Sequence, residues 1–238
     1  MATHLTNPAP TCTAPGTLRP GRYAAIDIGT VTCRMLVADI DGAGLLHELR
    51  REDAITNLGE GVDATGRFCE AAVERVLAAC RTFVDEARAF GAVCVCTTCT
   101  SAARDASNAA LLLDGLRELG LEPQVIPGEV EARLTFFGVA HDFAGERIIV
   151  ADSGGGSTEL ATGVYAPERG VFALEGTRSL DIGCRRVTER FFSALPPADG
   201  ELAAAAAWAG EQFAAYFEGL PSDFERAERL VAVGGNVT

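Results

Sequence analysis

The sequence contains no lysine, so arginine supplies all 20 of its strongly basic side chains. Aromatic residues are scarce at 7%, with one tryptophan, and no apolar run approaches the roughly 20 residues of a membrane-spanning helix. The missing lysine excludes a Walker-type nucleotide loop, which places a lysine on the phosphates, and a pyridoxal enzyme, which needs a Schiff-base lysine. Any positive side chain that a phosphate site requires must therefore be an arginine.

The rest of the composition is that of a folded protein with a proper core. Hydrophobic residues make up 48% and charged residues 22% of 238 residues, which is enough chain for one large domain or two small ones. The formal net charge is −13, from 33 acidic and 20 basic residues. This balance argues against nucleic acid or an anionic membrane as a partner, although a small anionic substrate in a local pocket stays compatible with it.

The first 21 residues are rich in Thr, Pro and Ala and lack the apolar core of a signal peptide. We therefore expect residues 1–21 to form a flexible tail. The eight cysteines, without a secretory signal, indicate a reducing compartment rather than a disulfide framework. Together these features predict a cytoplasmic protein.

The apolar pattern predicts an α/β fold in which one strand order occurs twice. In the first lobe, residues 22–144, three strands precede alternating helices and strands: strands 23–28, 33–40 and 45–52, a polar loop 53–66, helix 68–90, strand 92–97, helix 106–119, strand 123–127 and helix 129–140. The second lobe, residues 145–238, restarts the pattern: strands 147–152, 158–164 and 170–174, helices 186–192 and 201–217, and a closing apolar strand. A strand that ends in Gly234-Gly235 should lead into another element, so we expect this lobe to continue past Thr238.

The same hairpin motif stands at the start of both lobes. Asp27-Ile-Gly-Thr-Val-Thr32 and Asp152-Ser-Gly-Gly-Gly-Ser-Thr158 each join an apolar strand, an aspartate, a glycine turn and hydroxyl residues, 125 positions apart. One such turn is ordinary, because Asp and Gly are common turn residues, but two in matching strand orders predict a duplicated fold with the lobes facing across a cleft.

Each hairpin tip offers backbone N–H groups and hydroxyls to an anion, and glycine lets the backbone approach phosphate oxygens closely. The predicted phosphate-binding residues are Gly29, Thr30, Thr32, Gly154, Gly155, Gly156 and Ser157. The aspartates before the turns, Asp27 and Asp152, are placed to hold a divalent cation directly or through water. Few carboxylates, several waters and substrate phosphates are the ligands that Mg²⁺ favours, and Mn²⁺ is the alternative.

Six blocks, in order, resemble the exopolyphosphatase / guanosine pentaphosphate phosphohydrolase family. They are the two hairpins, Thr100-Ser-Ala-Ala-Arg-Asp105, Gly128-Glu-Val-Glu-Ala-Arg-Leu134, Ser179-Leu-Asp-Ile-Gly-Cys184 with Thr188-Glu-Arg190, and Gly234-Gly235. The resemblance covers residues 23–238 and implies the actin-like ATPase fold with its two duplicated lobes.

The resemblance also implies residue roles and a substrate class. Glu131 matches the general base that activates water, Arg104 matches an arginine that contacts phosphate, and Glu159 matches a carboxylate that places metal or water. From the residues alone, Glu131 is unremarkable, because the dipole of a helix favours an acid in its first turn. The substrate would be inorganic polyphosphate or guanosine pentaphosphate, and the sequence leaves open which of them it is, the metal, and whether the protein is a homodimer.

Two alternatives keep the same fold. A non-catalytic sensor of polyphosphate or an alarmone is supported by Val31, which stands where the family commonly has asparagine, while Glu131 speaks against it. A small-metabolite kinase would need an acceptor site and an adenosine pocket, and neither is recognisable. Cys94-x-Cys96-x-x-Cys99 falls short of the four ligands of a structural zinc site, so we interpret these cysteines as small buried side chains.

Overall fold

The computed structural model describes residues 19–169, 171–219 and 226–235. The chain forms two compact units that divide between Val125 and Ile126. Nearly all of the predicted tail, residues 1–21, lies outside the described residues, and so does the end of the chain after Gly235. None of the helices in the described ranges is long and apolar enough to cross a membrane.

The first unit is built on a five-stranded sheet in the order β3-β2-β1-β4-β5. The first three strands are antiparallel neighbours, whereas β4 and β5 run parallel to β1. The strands are β1 (Gly21–Ile28), β2 (Thr32–Ile40), β3 (Leu46–Ile55), β4 (Cys94–Cys99) and β5 (Pro123–Val125), and the helices are α1 (Val62–Thr65), α2 (Glu70–Ala89), α3 (Ser101–Asp105) and α4 (Ala110–Glu118).

The core of this unit lies on one face of the sheet. Side chains alternate along β1, so that Ala24, Ile26 and Ile28 are buried against the helices. Helix α2 packs on β1, β2 and α4 and buries seven of its residues, which repeat at helical spacing. Asp27 points to the opposite face of the sheet, away from this core.

The second unit repeats the opening with a sheet in the order β8-β7-β6-β9, in which β6, β7 and β8 are antiparallel and β9 runs parallel to β6. Its strands are β6 (Arg147–Ser153), β7 (Thr158–Ala166), β8 (Val171–Leu180) and β9 (Arg229–Val233). Its helices are α5 (Gly128–Ala140), α6 (Cys184–Phe191) and α7 (Asp199–Glu218), with 3-10 turns at His141–Phe143 and Pro167–Arg169.

Helices cover both faces of this second sheet. Helix α5 packs on β6, β7 and β8, with Phe136 fully buried among Ile148 and Val150. The other face buries Leu160 and Leu180 beneath α6 and α7. By its contacts α5 therefore belongs with the second sheet, whereas the sequence analysis assigned residues 129–140 to the end of the first lobe.

Several elements differ from those expected. The polar segment 53–66 is not wholly a loop, because β3 continues to Ile55 and α1 forms one short turn of helix. Helix α3 was not anticipated, and the helix expected over 106–119 begins only at Ala110. The strand expected over 170–174 is β8, which continues to Leu180 because it stays paired with β7 past a register shift at Thr162/Gly163.

The cysteines also differ in part from the expectation. Six of the described cysteines are free thiols, but Cys94 is disulfide-bonded, which a local sequence pattern could not reveal. Cys99 is buried as expected, whereas Cys96 is exposed, since it alternates onto the open face of the first sheet.

Candidate active site

The two hairpin tips have the same backbone geometry. In the first, the N–H of Gly29 donates to the carbonyl of Thr32 at 3.0 Å, and in the second the N–H of Gly154 donates to the carbonyl of Ser157 at 2.9 Å. The strand registers also correspond, because Asp27 lies opposite Arg34 and Asp152 lies opposite Glu159. The duplicated motif is thus a duplicated structure, down to the bond that closes each turn.

The leading glycine of each turn lies in close contact with the backbone of the turn. A Cβ atom on Gly29 would stand 2.9 Å from the Thr32 carbonyl oxygen, and one on Gly154 would stand 3.2 Å from that of Ser157. The hydroxyl residues of the tips are well enclosed, since Thr30 is 8% and Ser157 3% exposed. These residues form two narrow turns whose backbone is held in place by hydrogen bonds, as phosphate binding requires.

In the first unit, Asp27 and the helix that carries Arg104 lie at the end of β1. The hydroxyl of Thr98 donates to a carboxylate oxygen of Asp27 at 3.3 Å. The N–H of Thr100 donates to the carbonyl of Ile28, so that α3 begins beside the first hairpin. Arg104 is half-buried one turn further along α3, where its N–H donates to the carbonyl of Thr100. Within this unit, the structure therefore brings the helix of Arg104 to the first turn.

In the second unit, Asp152 is held from helix α5. The hydroxyl of Thr135 donates to the second carboxylate oxygen of Asp152 at 3.0 Å. Glu131 precedes Thr135 by four residues, which places both side chains on one face of the helix. Glu131 is half-buried in the first turn of α5, so the helix that fixes Asp152 also carries the predicted general base.

Glu159 is the charged side chain that the second unit buries most completely. It is 3% exposed and accepts a hydrogen bond of 2.7 Å from the hydroxyl of Ser179. Because Asp152 pairs with Glu159 and Glu159 pairs with Ser179 across three strands, the three side chains form a row on one face of the sheet. The bond from Thr135 to Asp152 shows that this is the α5 face.

Gly234, in the closing glycine pair, packs closely against the strand end that carries Asp152. Gly234 has a φ of +108°, and a Cβ atom there would stand 2.4 Å from the carbonyl oxygen of Ser153 and 3.1 Å from a carboxylate oxygen of Asp152. A side chain at position 234 would therefore displace the backbone beside Asp152.

Sequence reasoning missed Thr135 and Ser179. Ser179 opened one of the blocks that carry the family resemblance, but its contact with Glu159 depends on β8 extending beyond the predicted strand. Thr135 stands at helical spacing from Glu131, which is a signal that could have identified it.

The thiol of Cys99, which is buried beneath the first hairpin, is a neutral packing group. Burial raises the pKa of Cys99 to about 12, and the nearby Cys33 and Asp27 act in the same direction.

In the residues that the structure describes, no three His, Cys, Asp or Glu side chains form a group that would hold a metal ion. The assignment of Asp27, Asp152 and Glu159 as metal ligands stays a prediction, as do the roles of Glu131, Arg104 and the turn residues.

Comparison with known proteins identifies the class. The sequence profile of the Ppx/GppA phosphatase family matches residues 36–235. Exopolyphosphatase 2 of Mycobacterium tuberculosis is 38% identical over 229 residues, a match that covers 91% of this chain and 69% of that protein. The chain belongs to the Ppx/GppA phosphatase family, and the prediction of a phosphoanhydride hydrolase is confirmed at that level.

Solved structures agree with this assignment. A crystal structure of an exopolyphosphatase-like protein has a TM-score of 0.81 at 34% identity, covering 92% of this chain and 67% of the other. The Aquifex aeolicus member of the family has a TM-score of 0.71 at 29% identity, covering 92% and 68%.

More distant matches show the wider fold. They include ADP-bound MreB5 of Spiroplasma citri, with a TM-score of 0.50 at 12% identity, and a type IV pilus PilM–PilN complex, with a TM-score of 0.58 at 12% identity. The predicted actin-like ATPase fold is thereby confirmed.

Proposed function

We propose that this hydrolase removes terminal phosphate from inorganic polyphosphate in the cytoplasm, with guanosine pentaphosphate as the alternative substrate. The main support for this proposal is the position of Glu131 relative to Asp152 in the second unit. Glu131 lies on α5 one turn before Thr135, whose hydroxyl donates to the carboxylate of Asp152. The substrate is suggested by relatives named exopolyphosphatase.

In the proposed reaction, Glu131 accepts a proton from water as the water oxygen attacks the terminal phosphorus. The bond between that phosphorus and the bridging oxygen breaks, which yields orthophosphate and a chain shorter by one phosphate. Such a reaction demands little covalent chemistry from the protein, so positioning and charge stabilisation dominate. Arg104 suits this task, because its planar fork matches phosphate oxygens and no lysine competes for the role.

The residues present fit a divalent cation. Asp152 and Glu159 place two carboxylates opposite each other on neighbouring strands, an arrangement that like charges disfavour unless a cation or a proton compensates. Mg²⁺ or Mn²⁺ held by Asp152 and Glu159, or by Asp27, would neutralise charge on the phosphate oxygens. With a net charge of −13, the protein needs such compensation to bind a polyanion.

The test measures phosphate release from long-chain polyphosphate and from guanosine pentaphosphate, with Mg²⁺ and then with excess chelator. Glu131→Gln should lower kcat by about 10²–10⁴-fold with little change in substrate binding, the range for loss of a general base. Glu129→Gln is the matched control, because Glu129 is an exposed acid in the same helical turn.

Each outcome has a meaning. Equal loss in both variants, or none in Glu131→Gln, would remove Glu131 from the mechanism. Undiminished turnover in chelator would refute the cation requirement. Tight binding of both substrates by the wild-type chain without turnover would instead make it a sensor.

A further inference from the structure

The segment that follows the third strand of each unit packs directly behind the phosphate-binding turn of that unit. We call these segments the braces and define them as residues 56–59 in the first unit and residues 183–186 in the second. The second brace falls within and just after a block that resembles the family, to which the proposed mechanism assigns no role.

The second brace holds the three glycine carbonyls of the turn. The N–H of Cys184 donates to the carbonyl of Gly154 at 3.0 Å, and the N–H of Arg185 donates to that of Gly155 at 2.9 Å. The carbonyl of Gly156 accepts from the side chain of Arg186, whose Nε lies 2.8 Å away. The N–H groups in the first turn of a helix have no carbonyl partner within the helix. In α6, the N–H groups of Cys184 and Arg185 donate to this loop instead.

Fixing these carbonyls also fixes the N–H groups of the turn. A trans peptide directs its N–H roughly opposite to its C=O, so the three bonds turn the N–H groups of Gly155, Gly156 and Ser157 away from the brace. Successive N–H groups that point to one side are what an anion-binding turn requires. The brace therefore sets the geometry of the donors without contacting a phosphate itself.

Close approach of the second brace depends on Gly183. A Cβ atom there would stand 2.3 Å from the carbonyl carbon and oxygen of Gly155 and 2.4 Å from the nitrogen of Gly156. Because these are backbone atoms, the steric clash could be relieved only by moving the turn. Alanine at this position would push the turn off the first residues of α6.

The first unit has the same arrangement. The N–H of Gly59 donates to the carbonyl of Thr30 at 2.8 Å, and the N–H groups of Thr56 and Asn57 donate to that of Val31, each at 2.9 Å. A Cβ atom on Gly59 would stand 2.2 Å from the methyl group of Thr30. Residue 31 thus contacts the brace through its backbone carbonyl, which valine supplies as well as asparagine would.

We propose that the braces are positioning elements of the phosphate site, with Arg186 and Gly183 as positioning residues that act through the backbone of residues 154–157. This inference rests on the proposed function only in that the turn binds phosphate. The geometry of the turn is the property that Arg186 controls, so its loss should weaken phosphate binding rather than the chemical step.

The test compares Arg186→Ala, Arg186→Lys and Arg190→Ala in the full 238-residue chain with tripolyphosphate and Mg²⁺. Arg190→Ala is the control, since it removes the same charge from the same helix at a position outside the brace, where the guanidinium lies over the ring of Trp208. We expect Arg186→Ala to raise KM about tenfold with kcat within about twofold, because one charge-assisted hydrogen bond that holds the turn is lost. Arg186→Lys, which keeps a donor, should recover most of the loss, and Arg190→Ala should match the wild type.

Two further measurements do not require the protein to turn over its substrate. Hydrogen exchange of the N–H groups of Gly154, Cys184 and Arg185, which donate the bonds within and behind the turn, should accelerate in Arg186→Ala but not in Arg190→Ala. Calorimetric binding of tripolyphosphate should weaken in the same order. If the wild type binds without turning over and this order holds, the proposed function fails while the inference stands. Failure of the wild type to bind would overturn both.

With an active wild type, equal KM in Arg186→Ala and Arg190→Ala would refute the role of Arg186. A fall in kcat at unchanged KM would refute it as well, because that result would show loss of active protein rather than a displaced turn.

Discussion

The buried bond between Ser179 and Glu159 allows a quantitative prediction. Glu159 is 3% exposed, so water cannot readily replace the hydroxyl that lies 2.7 Å from its carboxylate. A hydrogen bond to a charged group contributes about 1.5–3 kcal/mol, and an unsatisfied buried acceptor costs a similar amount. We therefore expect Ser179→Ala to lower the free energy of unfolding of the second unit by about 2 kcal/mol.

The assay is urea unfolding followed by tryptophan fluorescence. Trp208 is the one tryptophan in the sequence, and it packs from α7 onto the core of the second unit, so its signal reports that unit. With a typical slope of about 2 kcal/mol per molar urea, the expected loss moves the midpoint by about 1 M.

Two companion variants separate this bond from other effects of the substitution. Ser179→Thr keeps the hydroxyl on a strand position that tolerates β-branched residues, so it should remain close to the wild type. In a Glu159→Gln background the cost of Ser179→Ala should shrink to the 0.5–1.5 kcal/mol, roughly, of a neutral hydrogen bond. A loss below about 0.5 kcal/mol in Ser179→Ala, or an equal loss in both backgrounds, would refute the reasoning.

Two other predictions concern the same unit. Phe136→Ala removes a fully buried side chain between α5 and the second sheet, and should lower the free energy of unfolding by about 3–5 kcal/mol in the same fluorescence assay. A loss under about 1 kcal/mol would contradict this and show that the neighbouring side chains close the cavity. The backbone N–H of Ala198 and groups of Ser193 hold the pKa of Glu201 below its usual range, so this carboxylate stabilises the fold above its unfolded pKa and the effect disappears as pH falls through the lower folded pKa. Glu201→Gln should therefore be less stable than the wild type at pH 7 and converge with it as the pH falls through the lowered folded pKa of Glu201, and a pH-independent difference would contradict this.

The hairpins could be predicted because their signals are local. A buried strand, an aspartate, a glycine turn and a returning strand follow one another within a dozen residues, and glycine is required where a Cβ atom would meet backbone. The fold followed from finding that sequence twice. Helix α5 was also predictable, since its buried residues Ala132, Phe136 and Ala140 recur every four positions.

The parts that could not be predicted depend on contacts between distant segments. The end of β8 reads Gly-Thr-Arg-Ser without an apolar alternation, and it is a strand because β7 pairs with it beyond a register shift. Without that extension nothing places Ser179 beside Glu159. The braces were hidden for the same reason, because the need for glycine at positions 59 and 183 arises from turns about 30 residues earlier in the chain.

The identical register of the two hairpins makes the charge difference opposite the turn aspartates informative. The residue opposite the turn aspartate is Arg34 in the first unit and Glu159 in the second. Arg34 pairs with Asp53 on the next strand at 3.1 Å, whereas Asp152 lies opposite a second, buried carboxylate. Opposite charges on neighbouring strands stabilise a sheet, and like charges directly opposite each other destabilise it. The prediction that Asp152 and Glu159 hold a divalent cation therefore rests on a pair of facing carboxylates that the first hairpin does not have.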